Sequence, residues 1–381
     1  MGLQMNKLVT LLITLAVLCV AGCQSAGTGR ANPRPSQQGT LLLIGGGLDD
    51  DNRPVYERFM SLAAANGQAR VVIATAATTE QEVEATDKTE ALRTWAPSVQ
   101  VTVVRRETAT AETVAAIDQA SAMFFTGGAQ QRITDRYRPH DQPTPEWLAM
   151  RRLLDRGGVI AGTSAGDAMM GEIMFLGGGS ATALGMQPRP TKPVCGDDED
   201  EENPTQMGPR LAPGMAFLPW AISDSHFFER DRIGRLVAAL ETSNRHLGIG
   251  VGEDAAVEVD LASGELRGIS VSESLLVDTA ALQRRGLARS GIVARLIGQG
   301  ERLKPSEWLA RTPPPPAAPA GSERQMAIVE PGQNRQLAAW RLFRQASHPG
   351  SPAIRQKLNG YSLTVFPAGN GDIALEIHPD D

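Results

Sequence analysis

The chain has 381 residues, of which 41% are hydrophobic and 4% are aromatic, and it contains 39 glycines. This length suffices for one large α/β domain with additions or for two ordinary domains, and the hydrophobic share is too high for a disordered chain. A formal net charge of −6 argues against nucleic acid as a partner, because binding phosphate groups requires an excess of Lys and Arg.

The N-terminal segment predicts export from the cytoplasm. Lys7 is followed by an apolar run from Leu8 to Val20, which ends in small residues before Cys23. The run is too short to be a comfortable membrane-spanning helix. Residues 1–23 resemble a bacterial lipoprotein signal peptide, in which Cys23 would become the lipidated first residue; a plain secretory signal is the alternative. We therefore expect a protein anchored by lipid to the cell envelope, with a flexible, polar tether over 24–38.

The segment from residue 39 to about 305 alternates short apolar runs with longer amphipathic ones. Apolar runs of this kind, alternating with helices, are typical of a doubly wound, mostly parallel α/β sheet. The predicted strands are 40–44, 70–75, 101–105, 122–125 and 159–161, and the predicted helices between them are 54–65, 80–95, 112–120 and 145–156.

Three glycine-containing loops follow the ends of predicted strands. They are Gly45-Gly46-Gly47, Thr126–Gln130 and Gly162–Gly166. Ligands of such sheets bind beyond the carboxyl ends of the strands, so all three loops belong to the expected ligand-binding edge. The first loop lacks the G-x-G-x-x-G spacing of a dinucleotide site.

The stretch 158–171, GVIAGTSAGDAMMG, predicts a strand, a sharp turn and a helix. The small residues on both sides of Ser164 allow strand and helix to approach closely, with Ser164 in a strained conformation at the turn. Its hydroxyl would then project beside backbone N–H groups that can bind an oxyanion. The alternative is a glycine-rich turn with an incidental serine, because G-x-S-x-G also occurs by chance.

Other chemistry-bearing features predict no site. Cys195 has no disulfide partner and lacks the strand, turn and helix that surround Ser164, so we expect no catalytic role for it. The acidic run 197–202 does not have the spacing of a calcium-binding loop and is interpreted as a solvated insertion.

The general base can be sought by elimination, since the chain has only five histidines. His140 lies in a loop rich in Pro and Asp, two others lie near the C-terminus, and His246 precedes a strand at its amino end. His226 remains, between an apolar segment and a helix. Glu253 ends a later predicted strand at the same edge, where its carboxylate could orient the imidazole. The resulting order, serine, histidine, glutamate, differs from the serine, acid, histidine order of α/β-hydrolases.

These segments resemble cyanophycinase and dipeptidase E, serine peptidases with a class I glutaminase amidotransferase-like α/β fold and a nucleophile elbow. The resemblance covers about 39–300 and rests on GGG at 45–47, TGGAQ at 126–130, GTSAG at 162–166, DSHFFERDRIGRL at 224–236 and GIGVGEDAAVEV at 248–259. It implies that Ser164 is the nucleophile, His226 the base and Glu253 the third member of the triad.

The same resemblance implies a substrate pocket formed by Gln130, Asp224 and Arg230. Arg232 adds a second cation near His226, suited to a carboxylate of the substrate. Ser225 stands where cyanophycinases usually have glutamine. Backbone N–H groups of Ala165 and of Gly127 or Gly128 are the expected oxyanion donors.

The sequence thus predicts a peptidase domain over 39–305, a proline-rich linker over 306–324 and a C-terminal extension of unknown role over 325–381. We expect cleavage of cyanophycin or related β-aspartyl peptides, with no metal or other cofactor. The alternatives are an α-aspartyl dipeptidase, a general esterase, or a surface-binding lipoprotein without turnover. The expected partners are a peptide substrate and membrane lipid, and a homodimer is left open.

Overall fold

The computed structural model describes residues 38–188, 205–311, 324–326 and 335–380. The signal peptide, Cys23, Cys195, the acidic run 197–202 and the proline-rich part of the predicted linker lie outside the described residues. Within the described residues, no helix is both long and apolar enough to cross a membrane.

As far as the serine turn, the predicted strands and helices occur in the predicted order, and the structure adds a helix over Gln130–Tyr137 and a 3-10 turn that the sequence pattern did not predict. The strands are β1 Thr40–Ile44, β2 Arg70–Ala74, β3 Gln100–Val104, β4 Ala122–Phe125, β5 Val159–Thr163, β6 Ile173–Gly177, β7 Arg210–Pro213, β8 Ala221–Asp224, β9 Leu247–Val251, β10 Ala256–Asp260, β11 Leu266–Gly268, β12 Ser274–Asp278, β13 Gln283–Arg285, β14 Ala288–Ile297, β15 Arg302–Leu303, β16 Arg324–Met326, β17 Ile354–Lys357, β18 Tyr361–Gly369 and β19 Asp372–Pro379. The helices are α1 Arg53–Ala63, α2 Gln81–Trp95, α3 Thr110–Gln119, α4 Gln130–Tyr137, α5 Pro145–Asp155, α6 Ala165–Ala168, α7 Ser180–Ala183, α8 Ile233–Ser243, α9 Pro305–Arg311 and α10 Arg335–Ala346, with a 3-10 turn at Pro139–Asp141.

The first sheet has the strand order β15-β11-β10-β1-β5-β4-β2-β3. The neighbours from β1 to β3 in this order are parallel, whereas β10 pairs with β1 in the antiparallel sense. The expectation of a doubly wound, mostly parallel α/β sheet is confirmed.

Helices cover both faces of this sheet. Along β1, Leu41 and Leu43 enter the core that also holds residues of α3 and α5, whereas Leu42 and Ile44 enter the core that holds residues of α1 and α2. Successive side chains of a strand point to opposite faces, so a strand buried on both faces must be apolar at every position. The run Leu41–Ile44 meets that requirement.

A second large sheet has the order β16-β17-β18-β19-β14-β12-β9-β8, with β13 paired to β14. Most of its pairs are antiparallel, and β8 and β9 form a parallel pair at one edge. One of its faces packs into the core shared with the first sheet, through Ile249 and Leu276, and the other packs against α8 and α10.

The structure describes parts of the chain beyond the predicted peptidase domain 39–305. Helix α9, Pro305–Arg311, overlaps the start of the predicted linker 306–324. Strands of the predicted extension 325–381 belong to the second sheet, where β19 pairs with β14 over Arg289–Ala294. Alternating apolar runs near the C-terminus therefore complete the second sheet.

The two sheets meet at the segment between β9 and β10. The chain leaves the second sheet at Val251 and enters the first at Ala256, so Glu253 lies at the crossing. Ser164 follows β5 of the first sheet, and His226 follows β8 of the second. The fold thereby brings three distant segments to one edge.

Candidate active site

The turn after β5 holds Ser164 in an uncommon backbone conformation. Its φ is 54° and its ψ is −111°, a region that residues with a Cβ rarely occupy. A Cβ on Gly162 would lie 2.2 Å from the Gly166 carbonyl oxygen, and one on Gly166 would lie 2.7 Å from the Phe125 carbonyl oxygen. Both positions therefore require glycine, as the sequence motif predicts.

The structure brings together the three residues that the sequence singled out. Ser164 Oγ lies 2.8 Å from His226 Nε2, and His226 Nδ1 lies 2.7 Å from Glu253 Oε1. Both distances are those of good hydrogen bonds. The imidazole can accept the serine proton at Nε2 while the carboxylate holds the proton on Nδ1.

The glycine triplet packs directly against this set of residues. Gly46 has φ 93°, and a Cβ there would lie 2.3 Å from Cε1 of His226. A Cβ on Gly47 would lie 3.3 Å from Oε2 of Glu253. The Gly45 carbonyl also accepts a 2.7 Å hydrogen bond from the His226 backbone N–H. The sequence pattern predicted only that this loop lies at the ligand-binding edge.

Burial and charge keep His226 in its neutral form. Loss of solvent around the ring lowers the pKa of His226 below its usual value, the hydrogen bond to Glu253 raises it, and the positive charges of Arg230 and Arg232 lower it again. The hydrogen bond to His226 lowers the pKa of the Glu253 carboxyl, so that Glu253 is ionised. A neutral imidazole beside an ionised carboxylate is the state that a general base requires.

Ser164 opens into a cleft of about 1010 Å³. The part of its lining that bears charge is mostly positive, because Glu84 is the one acidic side chain that lines it among the described residues. The cations of the lining are Lys88, Arg132, Arg230, Arg232 and Arg235. Lys88 pairs with Asp50, and Arg232 and Arg235 both pair with the buried Asp224, so part of this charge is compensated within the protein. The cations that line the cleft are still suited to a carboxylate group of a ligand.

The predicted pocket residues differ in their access to this cleft. Arg230 and Arg232 line it, as does Gln130, whose side-chain amide donates a 2.7 Å hydrogen bond to the Phe175 carbonyl. Asp224 is fully buried and does not line the cleft; Arg235 donates to its two carboxylate oxygens over 2.8 and 2.6 Å. The expectation that Asp224 faces the substrate is therefore replaced by a structural role.

Arg235, like Lys88 and Arg132, lines the cleft although the sequence pattern did not predict it there. It lies three positions after Arg232 at the start of α8, and residues with this spacing share one face of a helix. Its guanidinium also lies 4.7 Å from the centre of the Phe175 ring and donates to the Gly178 carbonyl over 2.9 Å. Helical spacing from Arg232 was the signal that could have identified it.

The expected oxyanion donors lie beside Ser164. A Cβ on Gly127 would be 3.4 Å from the Ser164 Cβ, so the loop after β4 touches the serine. Ala165 is the first residue of α6, where backbone N–H groups have no partner within the helix. In the part of the chain that the structure describes, no three His, Cys, Asp or Glu side chains are grouped so that they could hold a metal ion.

Asp167, behind the serine, is a buried acid that the sequence reasoning did not assign. Its side chain is fully buried, and its Oδ1 accepts a 2.6 Å hydrogen bond from the Ser223 hydroxyl. Burial raises the pKa of the Asp167 carboxyl well above its usual value, which favours the protonated form. This acid therefore links β8 to the helix that starts at the serine.

Comparisons with known proteins agree with this fold and geometry. The model of peptidase family S51 matches residues 41–266. A cyanophycinase of Nostoc sp. is 28% identical over 255 residues, covering 65% of this chain and 76% of the relative, and one of Trichormus variabilis is 29% identical over the same shares. A solved peptidase from an acI-B1 Actinobacterium shares the fold, with a TM-score of 0.50 and 16% identity over 71% of this chain and 98% of that one. The chain belongs to peptidase family S51, a family of serine peptidases.

Proposed function

We propose that this peptidase works through Ser164, His226 and Glu253 and hydrolyses amide bonds in aspartyl peptides, with β-aspartyl peptides such as cyanophycin as the preferred class. The observation that carries the proposal is the continuous pair of hydrogen bonds, 2.8 Å and 2.7 Å long, beside an arginine-lined cleft. Ser164 attacks the carbonyl carbon while His226 takes its proton, and the same proton is then given to the leaving amine. Water repeats the sequence on the acyl-enzyme and restores the serine.

The negative charge that develops on the carbonyl oxygen needs donors already in place. We assign this role to the backbone N–H groups of Ala165 and of Gly127 or Gly128. The contact between Gly127 and Ser164 supports the assignment, as does the position of Ala165 at a helix start. Backbone donors of this kind cost no reorganisation during the reaction.

The arginines of the cleft support a substrate that carries carboxylate groups. Arg230, Arg232 and Arg235 lie on the segment that carries His226, so a substrate carboxylate bound to them would lie close to the reacting serine. Cyanophycin has a poly-aspartate chain whose side-chain carboxyls are joined to arginine through amide bonds. Two of the relatives described above are named cyanophycinases, which supports this substrate class.

The proposal is tested with wild-type enzyme, Ser164→Ala, His226→Ala and the double variant on three substrates: cyanophycin, β-aspartyl-arginine and α-aspartyl dipeptides. We expect release of β-aspartyl-arginine from the polymer by the wild type. Each single variant should lose about four or more powers of ten in kcat, and the double variant should be hardly worse, because the residues act as one unit.

A fluorophosphonate probe that labels the wild type but not Ser164→Ala identifies the nucleophile. Equal turnover by Ser164→Ala and wild type would exclude this mechanism. Cleavage of α-aspartyl dipeptides alone would assign the enzyme as a dipeptidase with the same triad. Binding of these peptides without turnover or labelling would indicate a binding protein.

A further inference from the structure

The segment that follows His226 packs against the C-terminal extension. The hydroxyl of Tyr361, at the start of β18, donates a 2.9 Å hydrogen bond to Oδ1 of Asp231. Tyr361 is completely buried. Asp231 stands between Arg230 and Arg232, both of which line the cleft. A residue far beyond the family match at 41–266 therefore contacts the centre of the substrate-facing segment.

Aromatic rings join the same two parts of the molecule. Phe228 lies 5.4 Å from Phe227 and 5.9 Å from Phe343 of α10, measured between ring centres. Phe227 in turn packs on β9, where a Cβ on Gly250 would lie 2.4 Å from its ring. The two residues after His226 are thus enclosed by apolar contacts, so the polar contact at Asp231 has a rigid support.

Asp231 also connects to the third arginine of the cleft. Its carbonyl accepts a 2.5 Å hydrogen bond from the Ser180 hydroxyl, and the same hydroxyl accepts a 3.1 Å bond from the Arg235 backbone N–H. One network therefore runs from Tyr361 through Asp231 and Ser180 to Arg235. It fixes the backbone on which the three arginines stand.

The backbone of Asp231 needs such support. Its φ is 51°, in the left-handed region, which is less favourable than the ordinary conformations even for aspartate. Conformations of this kind persist where surrounding contacts determine them. A buried hydroxyl that holds the Asp231 carboxylate supplies one such contact.

We infer that Tyr361 is a positioning residue that sets the affinity of the cleft for acidic substrates, by fixing Asp231 and through it Arg230, Arg232 and Arg235. This role rests on the proposed function, because it concerns the site that would bind the substrate carboxylate. This role would make the C-terminal extension, residues 325–381, part of the substrate-binding site's support. The hydrogen bonds among Ser164, His226 and Glu253 do not involve the Tyr361 hydroxyl, so its loss should act mainly on substrate binding.

The test compares Tyr361→Phe with wild type, using the full-length enzyme and cyanophycin or whichever carboxylate-bearing peptide the wild type hydrolyses. Removing the hydroxyl keeps the ring and its packing. We expect KM to rise about fivefold with kcat within about twofold, because a hydrogen bond to a charged group is lost outside the reacting atoms. The rate at which a small neutral fluorophosphonate labels Ser164 should stay unchanged.

Tyr137→Phe is the matched control. The Tyr137 hydroxyl is buried and has no hydrogen-bond partner among the described residues, so its removal should leave both KM and kcat at the wild-type values. The pair Tyr361→Phe and Asp231→Ala completes a double-mutant cycle. If Tyr361 acts through Asp231, the double variant has the KM of Asp231→Ala alone.

Three results would overturn the inference. An unchanged KM in Tyr361→Phe, with a wild type that cleaves the peptide, removes the positioning role and leaves the proposed function intact. Parallel losses in kcat and in Ser164 labelling would show general damage to the fold. A wild type that cleaves no acidic peptide overturns the proposed function and this role with it.

Discussion

Ser164 and the segment 226–235 face each other across one hydrogen bond, but different kinds of contact hold them. Ser164 is held by its own strand-turn-helix, by glycines two positions away on either side and by a 3.0 Å backbone bond from its N–H to Ile44. His226 is held by a glycine loop from the other sheet, by β9 and by the contacts of Phe228 with α10. The conformation of Ser164 depends mostly on its own strand-turn-helix, with one backbone bond to β1, whereas the position of His226 depends on residues throughout the chain.

This difference predicts which substitutions would displace Ser164 and which would displace His226. Both Ser164, with φ 54°, and His226, with φ 47°, have backbones in the left-handed region. The strain at Ser164 is supported mainly by the glycines of its own turn. The strain at His226 is supported by long-range packing, so substitutions distant in sequence should displace His226 while the Ser164 turn is retained.

Among substitutions outside Ser164, His226 and Glu253, the largest expected effect comes from Gly46→Ala. The new Cβ would lie 2.3 Å from the His226 ring, so the imidazole must move by about an ångström, and displacements of that size cost about 100-fold in rate. Steady-state kinetics should show the loss in kcat.

The control for this substitution is Gly157→Ala. Gly157 has φ 82°, close to the 93° of Gly46, but a Cβ there meets nothing within 4 Å. This variant should lose some thermal stability and keep its kcat. Equal kcat losses in the two variants would show that backbone strain, rather than contact with His226, is responsible.

The next effect concerns the pH dependence of the base. Arg230 is one of the positive charges that lower the pKa of His226, so Arg230→Gln should raise that pKa. In the wild type, the acidic limb of kcat/KM against pH should fall below 6.5, the ordinary value for histidine. In the variant the limb should move to higher pH.

Arg132→Gln supplies the comparison, because Arg132 lines the same cleft but does not perturb His226. Both variants weaken binding of an acidic substrate, whereas the limb should move only in Arg230→Gln. If the acidic limb of kcat/KM does not move in Arg230→Gln, the charge of Arg230 does not affect the pKa of His226.

The smallest expected effect is on stability at Asp167. A carboxyl whose pKa is raised by folding binds more protons in the folded chain than in the unfolded one, so the free energy of unfolding falls as pH rises above the unfolded-state value, here 3.8. The Asn side chain in Asp167→Asn does not ionise, so the free energy of unfolding of this variant should not fall as the pH rises. We expect its Tm to exceed that of the wild type by about 2 °C or more at pH 7.

The difference in Tm should shrink as the pH is lowered towards and below 3.8, because the carboxyl then becomes protonated in the unfolded chain as well. Thermal unfolding followed by circular dichroism from pH 3 to pH 8 measures it. A gap that widens on acidification would mean that Asp167 is ionised in the folded protein.

Local pattern determined much of this protein from the sequence alone. The uniformly apolar run at β1 predicted a strand buried on both faces, and the small residues around Ser164 predicted a strained turn. Both inferences succeed because strand burial and turn geometry depend on residues that are close in sequence. Elimination among five histidines also brought forward His226, since a base needs a titratable side chain at the right edge of the sheet.

Tertiary structure alone decided the features that depend on distant pairing. Asp224 and Arg230 are both charged residues close to His226 in the sequence. In the structure, however, Asp224 is buried and accepts hydrogen bonds from Arg235, whereas Arg230 lines the cleft. Gly46 is near the beginning of the chain and Tyr361 near its end, and each contacts the histidine segment. No local pattern encodes such contacts, because they arise only when strands and helices from different parts of the chain pack together and bury their side chains against one another.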